Sequence, residues 1–214
     1  MSRKFIVAAV GTANTGKTTF KKDVLERFSS DSTYDPFTTN EIDYREKIES
    51  EGLQINRNGN LRSQKIIFEC LADSVIQAVK DPKVTNFISD RSVIDAYVYT
   101  RYLHENNPDS GISERDLVEM RSQMEHFARL YDRIILFRMR DCENVKVVDD
   151  KFRDTDLGFR KRIDEIFQET VTDLHYKGVC EYTNLVRGTR NERIDTFSWM
   201  FSQFPPLFVR RNVG

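Results

Sequence analysis

The sequence predicts an α/β fold of three layers, in which a mostly parallel sheet of about five strands lies between two layers of helices. Residues 5–10 form a continuous apolar run, the pattern of a strand that is buried on both faces of a parallel sheet. Strand-like and helix-like patterns then alternate along the chain, which is typical of a sheet covered by helices on both faces. Strands are expected at 5–10, about 33–39, 84–89, 133–139 and 179–183, and helices at 18–28, 61–79, after 92, at 113–131, from about 158 to 174 and at about 191–201.

Local patterns support the elements in the first half of the chain. The helix at 18–28 carries an apolar stripe at helical spacing, formed by Phe20, Val24, Leu25 and Phe28. The helix at 61–79 is amphipathic and ends at Asp81-Pro82, because proline cannot continue a helix. The strand at 84–89 therefore delivers Asp90 at its carboxyl end.

Turn and capping signals divide the second half of the chain. A run rich in Asn, Asp, Pro and Gly at 106–111 breaks the helical pattern. Ser113, followed three residues later by Asp116, is a helix-start signal. The apolar strand at 133–139 then leads into a charge-rich segment at 140–158, which precedes the next long helix.

Residues 11–18 read Gly-Thr-Ala-Asn-Thr-Gly-Lys-Thr, which matches the pattern G-x-x-x-x-G-K-[ST] between an apolar strand and a helix. Gly11 and Gly16 allow the backbone N–H groups to turn inward around phosphate oxygens at a helix N-terminus. Lys17 is expected to reach the β- and γ-phosphates of a nucleotide, and the Thr18 hydroxyl to bind Mg²⁺. The predicted nucleotide-binding residues of this phosphate-binding loop are Gly11, Thr12, Ala13, Asn14, Thr15, Gly16, Lys17, Thr18 and Thr19.

Asp90 and Arg91 follow a predicted strand, and ligands gather at the carboxyl ends of strands in an open parallel sheet. Asp90 is expected to hold Mg²⁺ or to polarise the attacking group. Its structural alternative is to cap the helix that begins near Ser92. Arg91 is expected to clamp a substrate or a transferring phosphoryl group, with an ordinary surface arginine as the alternative.

The composition fits one α/β domain over residues 1–214. The chain has 33 basic and 34 acidic residues, so its formal net charge of −1 gives no global attraction to nucleic acid. No apolar stretch reaches membrane-spanning length, and the first strand begins too early to leave room for a secretory signal. A cytoplasmic protein with no membrane partner is therefore expected. Three widely spaced cysteines, Cys70, Cys142 and Cys180, are expected to be free thiols.

Asp90-Arg91-Ser92 with Asp95 after a buried strand, together with the phosphate-binding loop, resembles the P-loop nucleoside and nucleotide kinases. Glu41 with Arg45 is similar to a feature of the nicotinamide-riboside-kinase-like ATPases of bacteria and phages, and the order of elements is also similar to thymidylate kinases. The resemblance implies that ATP and Mg²⁺ are the cofactors. It also implies that Glu41, Asp43, Arg45 and Asp95 face the phosphate acceptor, and it leaves a homodimer open.

The resemblance further implies that the charge-rich segment is an arginine-rich lid over about 140–158. Arg153 and Arg160 are the leading lid residues, because a turn-like sequence lies between them. Charge stabilisation and exclusion of water are the main requirements of phosphoryl transfer, and a lid of this kind supplies both. The alternative is a solvated, charged helix face balanced by neighbouring aspartates.

Arg190 follows the last predicted strand, where related kinases contact adenine. Gly188 would allow a close approach of the backbone, and Arg190 is expected to stack on the base. An ordinary turn between strand and helix is the alternative at this position.

These patterns together predict ATP- and Mg²⁺-dependent phosphoryl transfer to a small nucleoside- or nucleotide-like acceptor. Lys17, Asp90, Arg91, Arg153 and Arg160 are the predicted catalytic residues, with Thr18 and Asp90 on the metal. Two alternatives remain open. One is a kinase acting on a polynucleotide end or on a modified base in DNA, which the neutral net charge does not favour. The other is a nucleotide-regulated ATPase or binding protein.

Overall fold

The structure, a computed structural model, describes residues 4–30, 35–40, 44–141, 155–184 and 188–203. In these residues five strands form one parallel sheet with the order β2-β3-β1-β4-β5. The predicted α/β fold with about five parallel strands is confirmed. The strands are β1 (Phe5–Val10), β2 (Phe37–Thr38), β3 (Asn86–Asp90), β4 (Arg133–Leu136) and β5 (Tyr182–Asn184).

Helices connect the strands and cover both faces of the sheet. Short 3₁₀ turns at Asn56–Asn58, Pro108–Ser110 and Met139–Asp141 add to the connections. The helices of the described residues are α1 (Lys17–Ser30), α2 (Tyr44–Ser50), α3 (Leu61–Lys80), α4 (Val93–Asn106), α5 (Glu114–Ala128), α6 (Leu157–Tyr176) and α7 (Arg190–Gln203).

Alternate residues of β1 enter two separate apolar cores, one on each face of the sheet. Ile6, Ala8 and Val10 pack in a core with residues of α3, α4, α5 and α6. Val7 and Ala9 pack in a smaller core with residues of α1 and α7. Because successive strand side chains point to opposite faces, two covered faces require an apolar residue at every position of β1.

Several predicted elements are shorter than expected. Within the described residues, β2 spans only Phe37–Thr38 of the predicted 33–39. Strand β4 ends at Leu136 because the chain turns at Met139, whose N–H donates to Asp164 Oδ1 at 2.9 Å. Strand β5 begins at Tyr182, since Val179 N–H instead donates to the Leu174 carbonyl (2.9 Å) at the end of α6. Helix α5 ends at Ala128, and the predicted continuation to 131 is a turn.

Helix α2 has no counterpart among the predicted elements. Its two buried residues, Tyr44 and Ile48, lie one helical turn apart. Seven residues with two apolar positions are too few for a detectable helical period.

No helix within the described ranges is long and apolar enough to cross a membrane. Cys70 and Cys180 are buried free thiols, as predicted, whereas Cys142 lies outside the described residues. Burial raises the pKa of the Cys180 thiol to about 12, so this thiol stays protonated and unreactive at neutral pH.

Candidate functional site

The phosphate-binding loop lies between β1 and α1, above the carboxyl end of the central strand. Gly11 has φ +134° and Gly16 has φ +89°, values that disfavour any residue with a side chain. The backbone of Gly11 also lies against Phe137, since a Cβ built at Gly11 would be 2.4 Å from the Phe137 carbonyl oxygen. The loop conformation therefore depends on both the torsion and the small size of Gly11.

The Lys17 ammonium group lies across this loop. Lys17 is only 5% exposed, and its Nζ donates to the carbonyl oxygens of Gly11 (2.7 Å) and Thr12 (2.6 Å). Thr15 supports the same turn, because its hydroxyl donates to the Thr12 carbonyl at 3.0 Å. The loop thus holds a buried positive charge where the sequence pattern predicts phosphate contacts.

Thr18 and Asp90 meet at the carboxyl edge of the sheet. Strand β3 pairs with β1 so that Asp90 lies opposite Ala9, and the Thr18 hydroxyl donates to Asp90 Oδ2. Asp90 Oδ1 is buried and accepts no hydrogen bond from the part of the chain that the structure describes. A hydroxyl beside a carboxylate with a free oxygen is an oxygen-donor set that fits Mg²⁺. The described residues contain no group of three His, Cys, Asp or Glu side chains that could hold a metal ion.

Asp90 does not cap helix α4. Ser92 is the N-cap residue, and its hydroxyl accepts from Ile94 N–H at 3.1 Å. Asp95 completes the capping box, since its Oδ2 accepts from Ser92 N–H at 2.9 Å. The alternative in which Asp90 caps this helix is therefore wrong. Its carboxylate instead contacts Thr18 at the end of the phosphate-binding loop.

Arg91 is held inside the protein rather than on its surface. Its backbone has φ +98°, and its N–H donates to the Ala9 carbonyl at 3.0 Å. The guanidinium group lies 5.9 Å from the Tyr99 ring centroid and 3.6 Å from Asp95 Oδ1. A left-handed conformation at an arginine is uncommon and is found preferentially at functional sites.

Asp95 is a buried carboxyl group in the same cluster. Burial raises the pKa of Asp95 from an ordinary value of 3.8 to about 6, although the positive charges of Arg91 and Lys17 oppose this shift. Its Oδ1 accepts no hydrogen bond within the described residues. Asp95 thus has one oxygen committed to the helix cap and one directed toward Arg91.

A pocket between α3 and α4 opens beside Arg91. We call it the α3–α4 pocket, and its polar lining comes from Tyr44, Asn56, Gln64, Arg91, Asp95 and Tyr99. Its free space is about 20 Å³, room for roughly one water molecule.

Sequence reasoning missed Gln64 as a residue of this pocket. Gln64 is 1% exposed, and its Oε1 accepts no hydrogen bond from the described residues. A buried amide without a partner is costly and points to a ligand contact. The available signal was a polar residue on the apolar face of α3, three positions before Ile67.

The predicted acceptor-facing residues fall into three groups. Asp95 lines the α3–α4 pocket, whereas Glu41 and Asp43 lie outside the described residues. Arg45 is half-buried on α2, and its neighbour Tyr44 provides the pocket wall. The expectation for Arg45 stays a prediction.

Arg160 extends from the first turn of α6 to the phosphate-binding loop. This turn is capped by Asp156, whose Oδ1 accepts from Phe159 N–H at 2.7 Å. Arg160 is 7% exposed and its Nη2 donates to the Ala13 carbonyl at 3.2 Å, while its Nε is buried and has no partner among the described residues. Arg160 therefore lies at the loop as part of a helix.

Two described basic residues near Arg160 are paired with carboxylates. Arg138 binds Asp164 at 2.8 Å, and Arg162 binds Glu105 at 2.9 Å. These two residues follow the predicted alternative of a balanced, charged surface. Arg153 and most of the predicted lid lie outside the described residues.

A second cleft opens at the other side of the loop, between α1 and α7. We call it the α1–α7 cleft, and its lining includes Gly16, Thr19, Phe20, Asp23, Gly188 and Arg190. Helix α7 begins with a reciprocal cap, in which Thr189 N–H donates to Glu192 Oε2 (2.6 Å) and Glu192 N–H to Thr189 Oγ1 (3.3 Å). This cap places Arg190 in the first turn, beside the loop. Stacking of Arg190 on a base stays a prediction.

Sequence comparisons identify no relative of this chain. A scan against protein-family models finds no match, and a search of curated protein sequences also finds none.

Solved structures share the fold of the chain. Thymidylate kinase from Candida albicans has a TM-score of 0.67 at 10% identity, covering 100% of this chain and 98% of that one. The NadR protein in complex with NAD and AMP-PNP has a TM-score of 0.61 at 15% identity over 99% of this chain, which spans only 52% of NadR. Deoxyadenosine kinase from M. mycoides, with dCMP and dCDP bound, has a TM-score of 0.59 at 12% identity, covering 93% and 100%. The chain therefore has the fold of P-loop nucleoside and nucleotide kinases.

Proposed function

We propose that this protein is an ATP- and Mg²⁺-dependent kinase that transfers the γ-phosphoryl group to a nucleoside- or nucleotide-like acceptor. The observation that carries the proposal is the convergence of three features at the carboxyl end of β1 and β3. These features are the phosphate-binding loop with Lys17, the Thr18–Asp90 pair, and the α3–α4 pocket with Arg91 at its mouth. A phosphate donor and a planar, polar acceptor can be held on opposite sides of one reacting phosphorus in this arrangement.

The loop and its lysine are proposed to bind the donor. Backbone N–H groups at the start of α1 and the Lys17 ammonium group stabilise the negative charge of the phosphates. Mg²⁺ held by Thr18 and Asp90 would neutralise charge on the β- and γ-phosphate oxygens. ATP as the nucleotide is supported by the AMP-PNP bound to the structurally similar NadR protein.

Asp90 and Arg91 are proposed to act on the acceptor side. An acceptor oxygen attacks the γ-phosphorus, the bond to the bridging oxygen breaks, and ADP leaves. As the alternative to holding Mg²⁺, Asp90 Oδ1, which accepts no hydrogen bond from the described residues, receives the proton of an acceptor hydroxyl. Arg91 and Arg160 stabilise the charge on the transferring group, with Arg153 proposed to add to them from the lid.

The acceptor is proposed to bind at the α3–α4 pocket once the pocket has widened, because its free space of about 20 Å³ in this structure holds only about one water molecule. Tyr44 and Tyr99 offer aromatic faces, and Gln64 and Asp95 offer buried polar atoms. A nucleoside or nucleotide matches this combination of flat apolar and hydrogen-bonding surface. The deoxyadenosine and thymidylate kinases that share the fold act on molecules of this class.

Phosphoryl transfer from γ-labelled ATP tests the proposal. The panel of acceptors contains nucleosides, nucleoside monophosphates, nicotinamide riboside and DNA oligomers, all with Mg²⁺ present. A labelled small molecule is the expected product. Lys17→Ala is the control, and we expect it to lower turnover by several orders of magnitude while the protein stays folded.

Other products would point elsewhere. Labelled DNA would indicate a polynucleotide kinase, although Arg138 and Arg162 are already paired with carboxylates and offer little charge to a DNA backbone. Labelled inorganic phosphate alone would indicate a regulatory ATPase. Full transfer by a folded Lys17→Ala protein would show that the site is wrong.

A further inference from the structure

The α1–α7 cleft lies on the side of the loop opposite the α3–α4 pocket. Its walls begin at Gly16 and Thr19 of the loop and the first turn of α1, and they continue to Gly188 and Arg190. The proposed function assigns the α3–α4 pocket to the acceptor. A donor nucleotide with its phosphates in the loop therefore directs its base toward the α1–α7 cleft.

Asp23 and Arg190 form an unequal ion pair in this cleft. Asp23 on α1 is 7% exposed, whereas the side chain of Arg190 is 62% exposed. Arg190 Nε donates to both carboxylate oxygens at 2.7 Å, and its Nη2 also donates to Oδ1. A buried partner with several contacts fixes the plane of the guanidinium group and leaves one face of that plane open.

We propose that Asp23 is a positioning residue of the donor-nucleotide site. Its carboxylate holds the Arg190 guanidinium as a flat wall, and the ligand that packs against this wall is the planar base of the donor nucleotide. A guanidinium group held in one orientation stacks on an aromatic ring more favourably than a free one, because the cost of ordering it is already met. This inference rests on the proposed function and adds a residue that no motif contains.

A purely structural role for the pair would be to join α1 to α7. Several other contacts already join these helices, and two of them are useful for comparison. The Phe20 and Phe197 rings pack edge to face with centroids 5.4 Å apart, and Arg27 lies 4.0 Å from Asp195. The Arg27–Asp195 pair is exposed and its residues do not line the cleft. It is therefore a matched control for an ion pair that only joins the helices.

Measuring the binding of ATP and of inorganic tripolyphosphate distinguishes a positioning role for Asp23 from a purely structural one. ATP has a base, whereas inorganic tripolyphosphate has only the phosphate groups that occupy the loop. We expect Asp23→Asn to weaken ATP binding, and to raise KM for ATP, by about tenfold. Tripolyphosphate affinity and kcat at saturating ATP should change by less than about twofold, because the loop itself is untouched. Arg27→Gln should leave both ligands unaffected.

Arg190→Lys provides the second variant. Lysine retains a positive charge that Asp23 can bind but lacks the planar group, so it should lose ATP affinity as Asp23→Asn does. This variant also decides the outcome if Asp23→Asn fails to fold. Tripolyphosphate is again the reference ligand.

Two results would overturn the inference. Equal weakening of ATP and tripolyphosphate, or ATP affinity unchanged in both Asp23→Asn and Arg190→Lys, would leave Asp23 with a structural role only. If the wild-type protein still transfers phosphate from γ-labelled ATP to an acceptor, the proposed function stands although the role of Asp23 does not. Wild-type protein that binds no ATP would overturn the proposed function and, with it, this inference.

Discussion

Gly11 is the residue of the phosphate-binding loop with the least room for a side chain. Its φ of +134° and the nearby Phe137 carbonyl both oppose a Cβ atom. Gly111 also has a positive φ, +69°, but it lies in the left-handed helical region that side chains tolerate better, and a Cβ there would meet no atom within 4 Å. Gly111 is therefore a control with a smaller torsional cost and no steric conflict.

We expect Gly11→Ala to lower the free energy of unfolding by more than the roughly 1–3 kcal/mol of torsional strain alone, and to abolish ATP binding. Gly111→Ala should cost only about 1–2 kcal/mol and leave ATP binding intact. Urea unfolding and ATP titration measure these effects. Equal losses of stability in the two variants would show that Phe137 does not constrain the loop.

Asp95 makes the stability of the protein depend on pH. Its pKa in the folded protein is about 6, above the ordinary value of 3.8, so folding favours the protonated carboxyl group. The stability contributed by Asp95 is fully present below pH 3.8 and is lost as the pH rises through 6. The loss amounts to roughly 3 kcal/mol, the equivalent of about two pKa units.

Asp95→Asn should remove this loss of stability, because an amide does not ionise as the pH rises. The cap should be kept, since the amide oxygen can still accept from Ser92 N–H. The free energy of unfolding of the variant, relative to wild type, should therefore increase between pH 4 and pH 7. Asp116 is the matched control, since it occupies the same capping position in α5 while hydrogen bonds from Ser113 lower its pKa. Asp116→Asn should show the opposite trend, and mainly below pH 4, because the pKa of Asp116 is lowered from an ordinary value of 3.8. Parallel curves for Asp95→Asn and wild type would contradict the expectation.

Helix α6 supports the phosphate-binding loop through Asp164 and through Arg160. Asp164 accepts from Arg138 Nε (2.8 Å) and Met139 N–H (2.9 Å), which fixes the chain directly after Phe137. Phe137 in turn packs against Gly11. The same helix carries Arg160 to the Ala13 carbonyl, so α6 supports the loop at two points.

We expect Asp164→Asn to lower the free energy of unfolding by roughly 3 kcal/mol, because it leaves a mostly buried arginine without its charged partner. Asp173→Asn removes an exposed partner of Arg121 from the same helix and should cost less than about 1 kcal/mol. Urea denaturation of both variants gives the comparison. Similar losses would mean that the Asp164 pair is screened like a surface pair.

At the scale of the whole molecule, the phosphate-binding loop follows β1, the strand on either side of which the strand order runs in opposite directions. Strands β2 and β3 lie on one side of β1, and β4 and β5 lie on the other. Clefts form at such a reversal in open α/β sheets. The α3–α4 pocket and the α1–α7 cleft flank the loop at this point, and this places the proposed acceptor and donor base on opposite sides. A cytoplasmic location and a homodimer stay predictions.

The fold was largely predictable because its signals are local. The buried run at 5–10, the loop at 11–18 and the capping pairs at Ser92 and Ser113 each lie within a few residues of one another. Helix α2 and the ends of β4 and β5 were not predictable, because they depend on contacts such as Met139 with Asp164.

The sequence by itself determined the phosphate-binding loop, the order of strands and helices, and the position of Asp90 and Arg91 at a strand end. Only the tertiary structure decided which side chains meet there. Gln64, Asp23 and Arg160 reach the site from helices far apart in sequence. Arg160 was predicted as a lid residue, whereas Gln64 showed only as a polar residue on an apolar helix face and Asp23 gave no local signal. The physical reason is that a motif is read from neighbouring residues, whereas a pocket is formed by burial and pairing between distant ones.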